Sequence, residues 1–565
     1  MNSEGYYLGV HIGHDCNVTV MDQAGQVAFA SGEERFNRKK MFAGFPTQAL
    51  EYALNTFGEN IIHLATPRMR VRSKIARELN FFIQSFIHGR AAPRFGIWVK
   101  NGWKKLFAGR SLETHIGSSR IDPEWPVKNV EHHRAHAAGA FYHSGFDTAW
   151  VMTLDGEGDG FSCCFYTADR AGGLTLKRSF FHNEVTVGRD YEKVTAMLGF
   201  HPLRHPGKVT GLAAYGKPNQ DCIDTLRNYL QASWKADRSR VWDTSDAYQV
   251  IEESGIQQLR SDRDRIFGRF TREDIAFAVQ WLTEKKVLEL IASVIPDVKT
   301  ANICLSGGVF ANVAVNRRVK ELGFQNVFVM PAMTDCGLSL GACLHSFPDP
   351  QAIPVPNTMF FGRSYSEDQV RQTLETAGVS YDTPRNLPET VAELLAGGSV
   401  VARFDGPMEF GPRALGNRSI LYHCNDPSVN DWLNKQLRRT EFMPFAPVTL
   451  DRFAADRYIG YAGAERTARF MTITFPCTEV MKQEAPAVVH VDGTARPQII
   501  HQQDNPGYYA ILDAYYRLTG IPTLINTSFN IHEEPIVMTP ADALKAFETS
   551  RLDALAIGPY LVHRA

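Results

Sequence analysis

A strand-like stretch with a glycine-rich break decides the fold: Trp150-Val151-Met152-Thr153-Leu154, then Asp155-Gly156-Glu157-Gly158-Asp159-Gly160, then Phe161-Ser162-Cys163-Cys164-Phe165-Tyr166. Apolar runs on either side of a glycine turn are typical of a β-hairpin. The same plan occurs near the start of the chain, where apolar residues 7–10 precede the break Gly13-His14-Asp15 and residues 17–20 follow it. Each copy carries an aspartate at its turn, so the sequence predicts a duplicated α/β unit.

Such a duplication is the layout of the actin-like (ASKHA) ATPase superfamily, in which paired lobes hold a nucleotide between them. The length of 565 residues allows two large domains or more. A proline-rich passage at 347–356 is typical of an interdomain linker. We therefore expect one domain at 1–350 and a second at 357–565.

Composition excludes several classes of protein. Lys and Arg total 60 against 61 Asp and Glu, so no overall field favours binding to nucleic acid. No segment approaches the ~20 apolar residues of a membrane span, and the first residues lack a signal sequence. The nine cysteines are scattered and are expected to be buried thiols. We expect a cytoplasmic protein without membrane or nucleic-acid partners. The basic segment 68–110 is either an insertion that covers the lobe or a membrane-surface or partner helix.

Four residues form a candidate metal site. His132 and His136 are four apart in an alanine-rich segment that predicts a helix, so both imidazoles project from one face. Asp155, at the hairpin turn, adds an oxygen ligand. Asp335 follows the strand-like residues 326–330 as Asp155 follows its own strand, and the duplication makes it the candidate fourth ligand. For an isolated pair of this spacing, two helix histidines satisfied by neighbours would be the alternative.

Glycine turns elsewhere point to anion binding. Gly307 and Gly308 follow the buried strand 301–305 and precede a predicted helix at 311–322, an arrangement whose backbone N–H groups can meet phosphate, although tight packing also explains such glycines. After residue 400, cations from three loops combine with Asn and Ser donors that follow the strand 522–525. Together they predict an anion pocket distinct from the metal site, while for any single arginine a surface salt bridge is the alternative.

These strings together resemble the NodU/CmcH O-carbamoyltransferase family over nearly the whole chain. In chain order, the strings that carry the resemblance are Glu33-Glu34-Arg35-Phe36-Asn37-Arg38-Lys39, His132-His133-Arg134-Ala135-His136-Ala137-Ala138, Leu154-Asp155-Gly156, Gly207-Lys208-Val209-Thr210-Gly211-Leu212-Ala213-Ala214-Tyr215-Gly216, Ser306-Gly307-Gly308-Val309, Gly411-Pro412-Arg413-Ala414-Leu415-Gly416-Asn417-Arg418-Ser419 and Asn526-Thr527-Ser528-Phe529-Asn530.

The resemblance implies duplicated actin-like N-terminal lobes and a C-terminal YrdC-like α/β domain. It implies that carbamoyl phosphate and ATP give carbamoyl adenylate in the second domain, and that the carbamoyl group moves to a hydroxyl in the first. The implied metal ligands are His132, His136, Asp155 and Asp335, holding iron(II) or a similar divalent ion that contacts nucleotide phosphate, with Mg as a further candidate ion. The implied nucleotide-site residues are Lys208, Gly211, Gly307, Gly308 and Asn312. The implied carbamoyl phosphate and adenylate ligands are Arg413, Arg418, Arg438, Arg439, Arg496, Asn526 and Ser528.

One turn departs from the family pattern. Many members have a lysine before the arginine-rich turn, whereas this chain has Leu437-Arg438-Arg439 there, so the phosphate cation is either Arg438 or Arg439. His14 is the candidate base that activates the acceptor hydroxyl, and capping of the turn or contact with substrate is the equal alternative. Lys39 is the second catalytic candidate.

The expected partners are ATP, carbamoyl phosphate and a small hydroxyl acceptor, such as an antibiotic or another natural product, and the protein is a candidate homodimer. Threonylcarbamoyl modification of tRNA and a non-catalytic nucleotide-binding module are the alternative functions.

Overall fold

A computed structural model describes residues 5–67, 125–237, 253–429, 445–531 and 533–564 of the 565-residue chain. The basic segment 68–110, Arg438 and Arg439 lie outside the described residues. None of the helices in the described ranges is long and apolar enough to cross a membrane. All nine cysteines are free, and all except the partly exposed Cys336 are buried, as expected.

The first sheet has five strands in the order β3-β2-β1-β4-β5. Its strands are β1 (Tyr6–His11), β2 (Asn17–Asp22), β3 (Val27–Gly32), β4 (Ile61–Thr66) and β5 (Val127–Asn129). Strands β1, β2 and β3 form an antiparallel meander, whereas β4 and β5 run parallel to β1. Helices α1 (Glu33–Asn37) and α2 (Thr47–Phe57) follow β3, and α2 buries Ala49, Leu50 and Ala53 against the sheet.

The second sheet repeats this topology, because its order is β8-β7-β6-β9-β10. Its strands are β6 (Thr148–Gly158), β7 (Phe161–Asp169), β8 (Gly173–Phe181), β9 (Asn302–Ser306) and β10 (Asn326–Val329). Strands β6, β7 and β8 are again an antiparallel meander, and β9 and β10 are parallel to β6. The equal strand order confirms the predicted duplicated actin-like lobes.

The helices of this part pack around and between the two sheets. They are α3 (His132–Ser144), α4 (Val187–Met197), α5 (Pro206–Ala213), α6 (Gln220–Asp237), α7 (Glu253–Phe267), α8 (Arg272–Val294), α9 (Val313–Lys320) and α10 (Leu338–Ser346). Helix α3 packs against α10, and α10 also contacts β1, β2 and β4 of the first sheet. Residues of both helices belong to one hydrophobic core that also contains β6, β7, β9 and β10.

The C-terminal part is the predicted additional α/β unit, built on a mixed sheet in the order β16-β13-β17-β12-β11-β18-β19. Its strands are β11 (Val401–Phe404), β12 (Arg418–Tyr422), β13 (Ala446–Leu450), β16 (Gln498–Ile500), β17 (Thr523–Ser528), β18 (Ala554–Ile557) and β19 (Tyr560–His563), and β14 (Phe475–Pro476) pairs separately with β15 (Thr494–Ala495). Its helices are α11 (Glu367–Thr376), α12 (Leu387–Ala396), α13 (Ala454–Arg457), α14 (Glu465–Ala468), α15 (Glu479–Glu484), α16 (Pro506–Thr519) and α17 (Pro540–Ser550).

The proline-rich passage at 347–356 lies between α10 and this unit and is fastened to its surroundings. Ile353 is buried, and its carbonyl accepts a hydrogen bond from Arg170 at 3.1 Å. Arg466, from α14, donates to the carbonyl of Pro356 at 2.6 Å. The passage therefore connects the two parts as an ordered strap.

One predicted boundary differs from the structure. The sequence predicts that the strand before Asp155 ends at Leu154, whereas β6 continues to Gly158 with a shift of register between Leu154 and Gly158. The chain stays extended but leaves the ladder with β7 at this irregularity. This departure places Asp155 where its carboxylate can leave the sheet.

Candidate functional site

The four predicted metal ligands converge. One ligand atom from each of His132, His136, Asp155 and Asp335 lies within 4.8 Å of the others. His136 Nε2 is 3.3 Å from Asp155 Oδ2 and 3.5 Å from Asp335 Oδ1. His132 Nε2 is 3.7 Å from each of the same two oxygens. The sequence therefore identified four side chains that share one small polar volume.

Local capping explains why α3 presents both imidazoles. The Glu131 carboxylate caps the helix by accepting the backbone N–H groups of His133 at 2.8 Å and Arg134 at 2.7 Å. The His132 N–H donates to Asp159 Oδ2 at 2.9 Å, which ties the helix start to the β6–β7 turn. A Cβ atom on Gly158 would lie 2.0 Å from His132 Cδ2, so only glycine permits this approach.

The glycine turn after β9 holds Asp155. The Gly308 N–H donates to Asp155 Oδ2 at 3.2 Å, and the Gly307 N–H donates to the Met333 carbonyl at 2.8 Å. Gly307 has a φ of 105°, and a Cβ atom there would lie 2.3 Å from the Leu154 carbonyl oxygen. Both N–H groups thus have protein acceptors, which is a different use from the phosphate contact that the sequence predicts. Close packing of the turn on the end of β6 is the physical reason.

The Nε2 atoms of His132 and His136 are positioned to bind a cation. His136 Nδ1 lies 3.2 Å from Ser306 Oγ, and that hydroxyl donates to the Met333 carbonyl at 3.4 Å. A Ser306 hydroxyl that donates to Met333 can accept a proton from His136 Nδ1, which leaves Nε2 facing the two carboxylates. The Nε2 atoms of His132 and His136 are both buried and have no hydrogen-bond partner among the described residues. Two imidazole nitrogens and two carboxylate oxygens fit a divalent iron, manganese or zinc ion.

The charges of the cluster agree with this fit. Burial lowers the pKa of His132, but the carboxylates of Asp335 and Asp155 outweigh burial and raise that pKa to about 10. Burial raises the pKa of Asp335, yet His132 and His136 lower it to about 2. The carboxylates are therefore ionised at neutral pH and attract positive charge. A divalent cation could take the place of the imidazolium proton.

The first hairpin turn reaches the same cluster from the other lobe. His11 Nε2 lies 3.8 Å from Asp335 Oδ2 and 3.0 Å from the backbone oxygen of His14. His14 Nδ1 lies 3.4 Å from Asp15 Oδ2. Burial lowers the pKa of His14, but Asp15 with Asp335 and Asp155 raises it to about 9. The predicted base is thus close enough to the cluster to feel its charge.

Lys39, the second catalytic candidate, stands apart from these contacts. Its side chain is exposed just after α1, and its backbone N–H donates to Asn37 Oδ1 at 2.9 Å. None of the described bonds of the four cluster ligands involves Lys39.

Three of the predicted nucleotide residues, Lys208, Gly211 and Asn312, lie on α5 and at the start of α9. Lys208 and Gly211 are buried on α5. The Tyr191 hydroxyl lies 2.8 Å from Thr210 of the same helix and donates to Gln280 Oε1 at 2.9 Å. Asn312 caps α9 by accepting the Val315 N–H, and its amide donates to Gln280 Oε1 at 2.8 Å. These bonds join α5 to the start of α9, so Asn312 has an architectural role in addition to any contact with nucleotide.

The two arginines of the Gly411 loop behave differently. Arg418 is fully buried, lies 3.7 Å over the Phe404 ring and donates to four carbonyls, those of Arg363, Asp405, Gly406 and Asn417. The Arg413 guanidinium has no hydrogen-bond or ion-pair partner among the described residues, and its Nε atom is buried. Burial alone lowers the pKa of Arg413 to about 10. The Arg413 guanidinium is therefore available to bind an anion, whereas the Arg418 guanidinium stabilises the shape of the loop.

Other predicted anion ligands gather around the same loop. Asn526 on β17 donates to Gln498 Oε1 at 2.7 Å and to the Ala414 carbonyl at 3.3 Å, and Gln498 donates to the Leu415 carbonyl at 2.7 Å. Ser528, at the end of β17, donates to Asn530 Oδ1 at 2.6 Å. Arg496 is half-buried between β15 and β16, two residues before Gln498. The Gly411 loop thus contacts β17 and β16 next to Arg413, and the predicted loop with Arg438 and Arg439 lies outside the described residues.

Two family descriptions together match most of the chain. Carbamoyltransferase N-terminus matches residues 6–344, and Carbamoyltransferase C-terminus matches residues 392–564. The chain belongs to the carbamoyltransferase family. This carbamoyltransferase is therefore an enzyme that transfers a carbamoyl group.

Named relatives and one solved structure accompany the family match. Nodulation protein NolNO of Sinorhizobium fredii is 30% identical to this carbamoyltransferase, over 98% of this chain and 79% of its own. Nodulation protein NolO of Bradyrhizobium diazoefficiens is 31% identical, over 77% of this chain and 79% of its own. The crystal structure of full-length HypF in its phosphate- and nucleotide-bound form aligns with 61% of this chain and 55% of that chain, with a TM-score of 0.30 and 14% identity.

Sequence reasoning missed three residues of the site. Ser306 orients His136, and Glu409 organises the Gly411 loop by accepting the N–H groups of Leu415, Asn417 and Arg418 on Oε1. Glu192 on α4 is buried near Gly156, and burial raises its pKa to about 7. The one sequence signal was the acid at Glu409, which stands alone inside a run of glycines, prolines and arginines.

Proposed function

We propose that this carbamoyltransferase uses ATP to convert carbamoyl phosphate into carbamoyl adenylate and then transfers the carbamoyl group to a hydroxyl of a small molecule. One observation carries the proposal: the Arg413 guanidinium is partly buried, with its Nε atom inaccessible to solvent, and has no anionic partner among the described residues, although the metal-ligand cluster lies in another part of the fold. A buried cation without a partner costs free energy unless an anionic ligand neutralises it. The phosphate of carbamoyl phosphate is such a ligand.

The two half-reactions balance as follows. Water attacks the phosphorus of carbamoyl phosphate, which releases phosphate and leaves carbamate. A carbamate oxygen attacks the α-phosphorus of ATP, and pyrophosphate leaves with the bonding electrons. The acceptor oxygen then attacks the carbonyl carbon of the adenylate, AMP leaves, and the hydroxyl proton passes to a base. A closed pocket protects the labile intermediates from water.

Activation is proposed for the C-terminal domain, residues 357–565. Arg413 and Arg496 would bind the phosphate groups. Asn526 and Ser528, whose donors are used within the protein, would shape the pocket beside them. Arg418, whose Nη1 and Nη2 atoms donate to backbone carbonyls, would hold the shape of the loop. The contribution of Arg438 or Arg439, which lie outside the described residues, stays a prediction.

Transfer is proposed for residues 1–350. His132, His136, Asp155 and Asp335 would hold a divalent ion, with iron(II) expected from the family resemblance, and a bound ion supplies positive charge to the nucleotide phosphate. Lys208, Gly211, Gly307, Gly308 and Asn312 would form the walls of the nucleotide site. His14 would accept the proton of the acceptor hydroxyl. Lys39, being exposed, would act at the entrance, and Mg would accompany ATP.

A direct assay tests the proposal. The purified protein is incubated with MgATP, with and without carbamoyl phosphate, and pyrophosphate is measured; a panel of polyhydroxylated natural products is then searched by mass spectrometry for a carbamoyl increment. We expect pyrophosphate release that requires carbamoyl phosphate, and an increment on one class of acceptor. Release that ignores carbamoyl phosphate would contradict the proposal.

Matched arginine variants sharpen the test. Arg413→Met should weaken the carbamoyl phosphate-dependent release by raising the KM for carbamoyl phosphate, whereas Arg452→Met should not, because Arg452 is a surface residue paired with Asp513. Tight, salt-sensitive binding of tRNA in a filter-binding assay would instead favour the threonylcarbamoyl tRNA-modifying alternative.

A further inference from the structure

Helix α1 and the residue after it fasten the N-terminal lobe to the C-terminal domain. Arg35 Nη2 donates to the Gly411 carbonyl at 3.0 Å. Phe36 packs against the small hydrophobic cluster of Met408, Ala414, Ile536 and Met538. Arg38 donates to two successive carbonyls, from Nη1 to Ile536 and from Nη2 to Pro535, both at 2.7 Å.

The carbonyls that Arg38 holds continue the segment of the proposed activating site. Ser528 Oγ donates to Asn530 Oδ1 at 2.6 Å, and Asn530 Nδ2 donates to the Glu534 carbonyl at 2.8 Å. The Val537 N–H returns to the Phe529 carbonyl at 3.0 Å. An unbroken series of bonds therefore leads from Ser528 to the peptide groups under the Arg38 fork.

On the other side, Arg38 leads to the hairpin turn that carries His14. Arg38 ends α1 with a φ of 59°, so the chain reverses there. The Met41 N–H donates to Glu34 Oε2 at 2.7 Å, and Gly44 exchanges two hydrogen bonds of 2.9 Å with Gly13. The Cys16 N–H donates to the Phe42 carbonyl at 3.4 Å. Through these hydrogen bonds, residues 38–44 connect Arg38 with the residues on both sides of His14.

The contact is built for arginine. A planar guanidinium can donate to two neighbouring carbonyls at once, whereas a lysine ammonium is a single point donor. The carboxylates of Glu534 and Asp542 lie 3.9 Å and 3.8 Å from the Arg38 nitrogens and balance its charge. Arg38 is three-quarters buried, with its side chain 25% exposed. The charge is therefore satisfied within the protein and serves to position two segments.

We propose that Arg38 is a positioning residue that couples the two half-reactions. It holds the Ser528 side of the activating site and the His14 hairpin in fixed relative positions. Carbamoyl adenylate therefore stays within the protein until an acceptor takes the carbamoyl group. This inference rests on the proposed function. Removal of Arg38 should leave adenylate formation intact and allow the intermediate to escape.

An acceptor-free assay with hydroxylamine as the probe tests the coupling. Hydroxylamine nitrogen attacks the carbonyl carbon of escaped adenylate, AMP leaves, and hydroxyurea forms and is measured by mass spectrometry. The wild-type protein should give a burst of pyrophosphate of one per active site followed by slow release, with little hydroxyurea. Arg38→Met should give the same burst followed by release and hydroxyurea formation roughly tenfold faster, the size expected for losing charge-assisted bonds. Arg38→Lys, which keeps the charge, should lie between.

The outcomes separate the two proposals. Arg371→Met is the matched control, because Arg371 is exposed on α11 and paired with Asp368 at 2.7 Å, and it should match the wild type. A folded Arg38→Met protein that retains its intermediate like the wild type would overturn the coupling role. So would loss of the burst in a folded variant, since Arg38 would then belong to activation. If Arg38→Met does not fold, Arg38→Lys decides by the same criteria. A wild-type protein without any burst would instead overturn the proposed function.

Discussion

His136 and Ser306 are joined by a buried contact of 3.2 Å between Nδ1 and Oγ. The contact fixes which imidazole nitrogen faces the carboxylates, and such partners of metal ligands typically change metal affinity by ~10- to 100-fold when removed. We expect Ser306→Ala to lose metal affinity by about this factor while the fold persists. Elemental analysis after dialysis against a graded series of chelator concentrations measures the effect.

Ser144, which lies on the helix α3 that carries His136, provides the control for that experiment. Ser144 lies in the last turn of α3 and donates to the Phe141 carbonyl at 2.7 Å, so Ser144→Ala removes a buried hydroxyl without touching the imidazoles. Equal metal loss in the two variants would show that Ser306 acts only through general stability.

Metal removal should separate the two half-reactions. The cluster of His132, His136, Asp155 and Asp335 lies in the proposed transfer lobe, so Asp335→Asn, or chelation followed by removal of the chelator and return of Mg alone, should stop carbamoyl transfer but leave carbamoyl phosphate-dependent pyrophosphate release. Product mass and pyrophosphate are measured on the same sample. If both half-reactions stop together, with the protein still folded, the division of labour between the lobes is wrong.

Arg413 should lower the free energy of unfolding of the protein while it binds carbamoyl phosphate. Because its guanidinium is partly buried without a partner among the described residues, Arg413→Met should raise the free energy of unfolding by about 1 kcal/mol. The same change should raise the KM for carbamoyl phosphate by roughly 10- to 100-fold, since hydrogen bonds to charged groups are worth ~1.5–3 kcal/mol. Denaturant unfolding and steady-state kinetics are the two measurements.

We expect Arg418→Met to have the opposite effect on stability. It removes the hydrogen-bond donors to four carbonyls in and around the loop and should lower the free energy of unfolding by about 3 kcal/mol or more. A stabilised Arg418→Met protein, or a destabilised Arg413→Met protein, would reverse the assignment of loop frame and anion ligand.

The transfer step should become faster as pH rises. His14 can accept a proton only when neutral, and its pKa is raised to about 9 by Asp15, Asp335 and Asp155 acting against burial. A cation at the cluster opposes the imidazolium and lowers that pKa, so the acid limb of the profile should end at or below pH 9. Below the pKa the rate should rise roughly tenfold per pH unit. Single-turnover transfer from preformed adenylate gives the profile, and His14→Asn should flatten it. An unchanged profile in His14→Asn would favour the capping role.

The duplicated hairpins, the α3 helix and the convergence of Asp155 with Asp335 could be predicted because each depends on a local pattern. Apolar runs around glycine turns recur at both hairpins, and a four-residue spacing fixes the common face of His132 and His136. Asp335 follows β10 and Asp155 lies on β6, and both strands run parallel to β9, so the two residues lie at the same edge of one sheet although they are not equivalent positions of the repeat. These features need no knowledge of which distant segments meet.

The uses of individual polar groups could not be predicted in the same way. Arg413 and Arg418 are five residues apart in one loop, and only the three-dimensional structure shows that Arg418 is consumed by carbonyls while Arg413 is not. The N–H groups of Gly307 and Gly308 have a phosphate-binding pattern, yet Met333 and Asp155 accept them. Hydrogen-bond partners distant in sequence decide these roles, and a local pattern carries no information about them.

The ligands of the cluster come from a helix and two strand ends that are far apart in the chain. The set of four donors is therefore complete only when these segments have folded together. A nascent or truncated polypeptide that contains His132 and His136 but has not yet docked the turn at Asp335 offers only part of the donor set. Affinity for the ion then appears late, when the second sheet is complete and α3 rests on α10. With an ion bound as proposed, metal content in a preparation would report the fraction of molecules in which the four ligands have come together, independently of any catalytic assay.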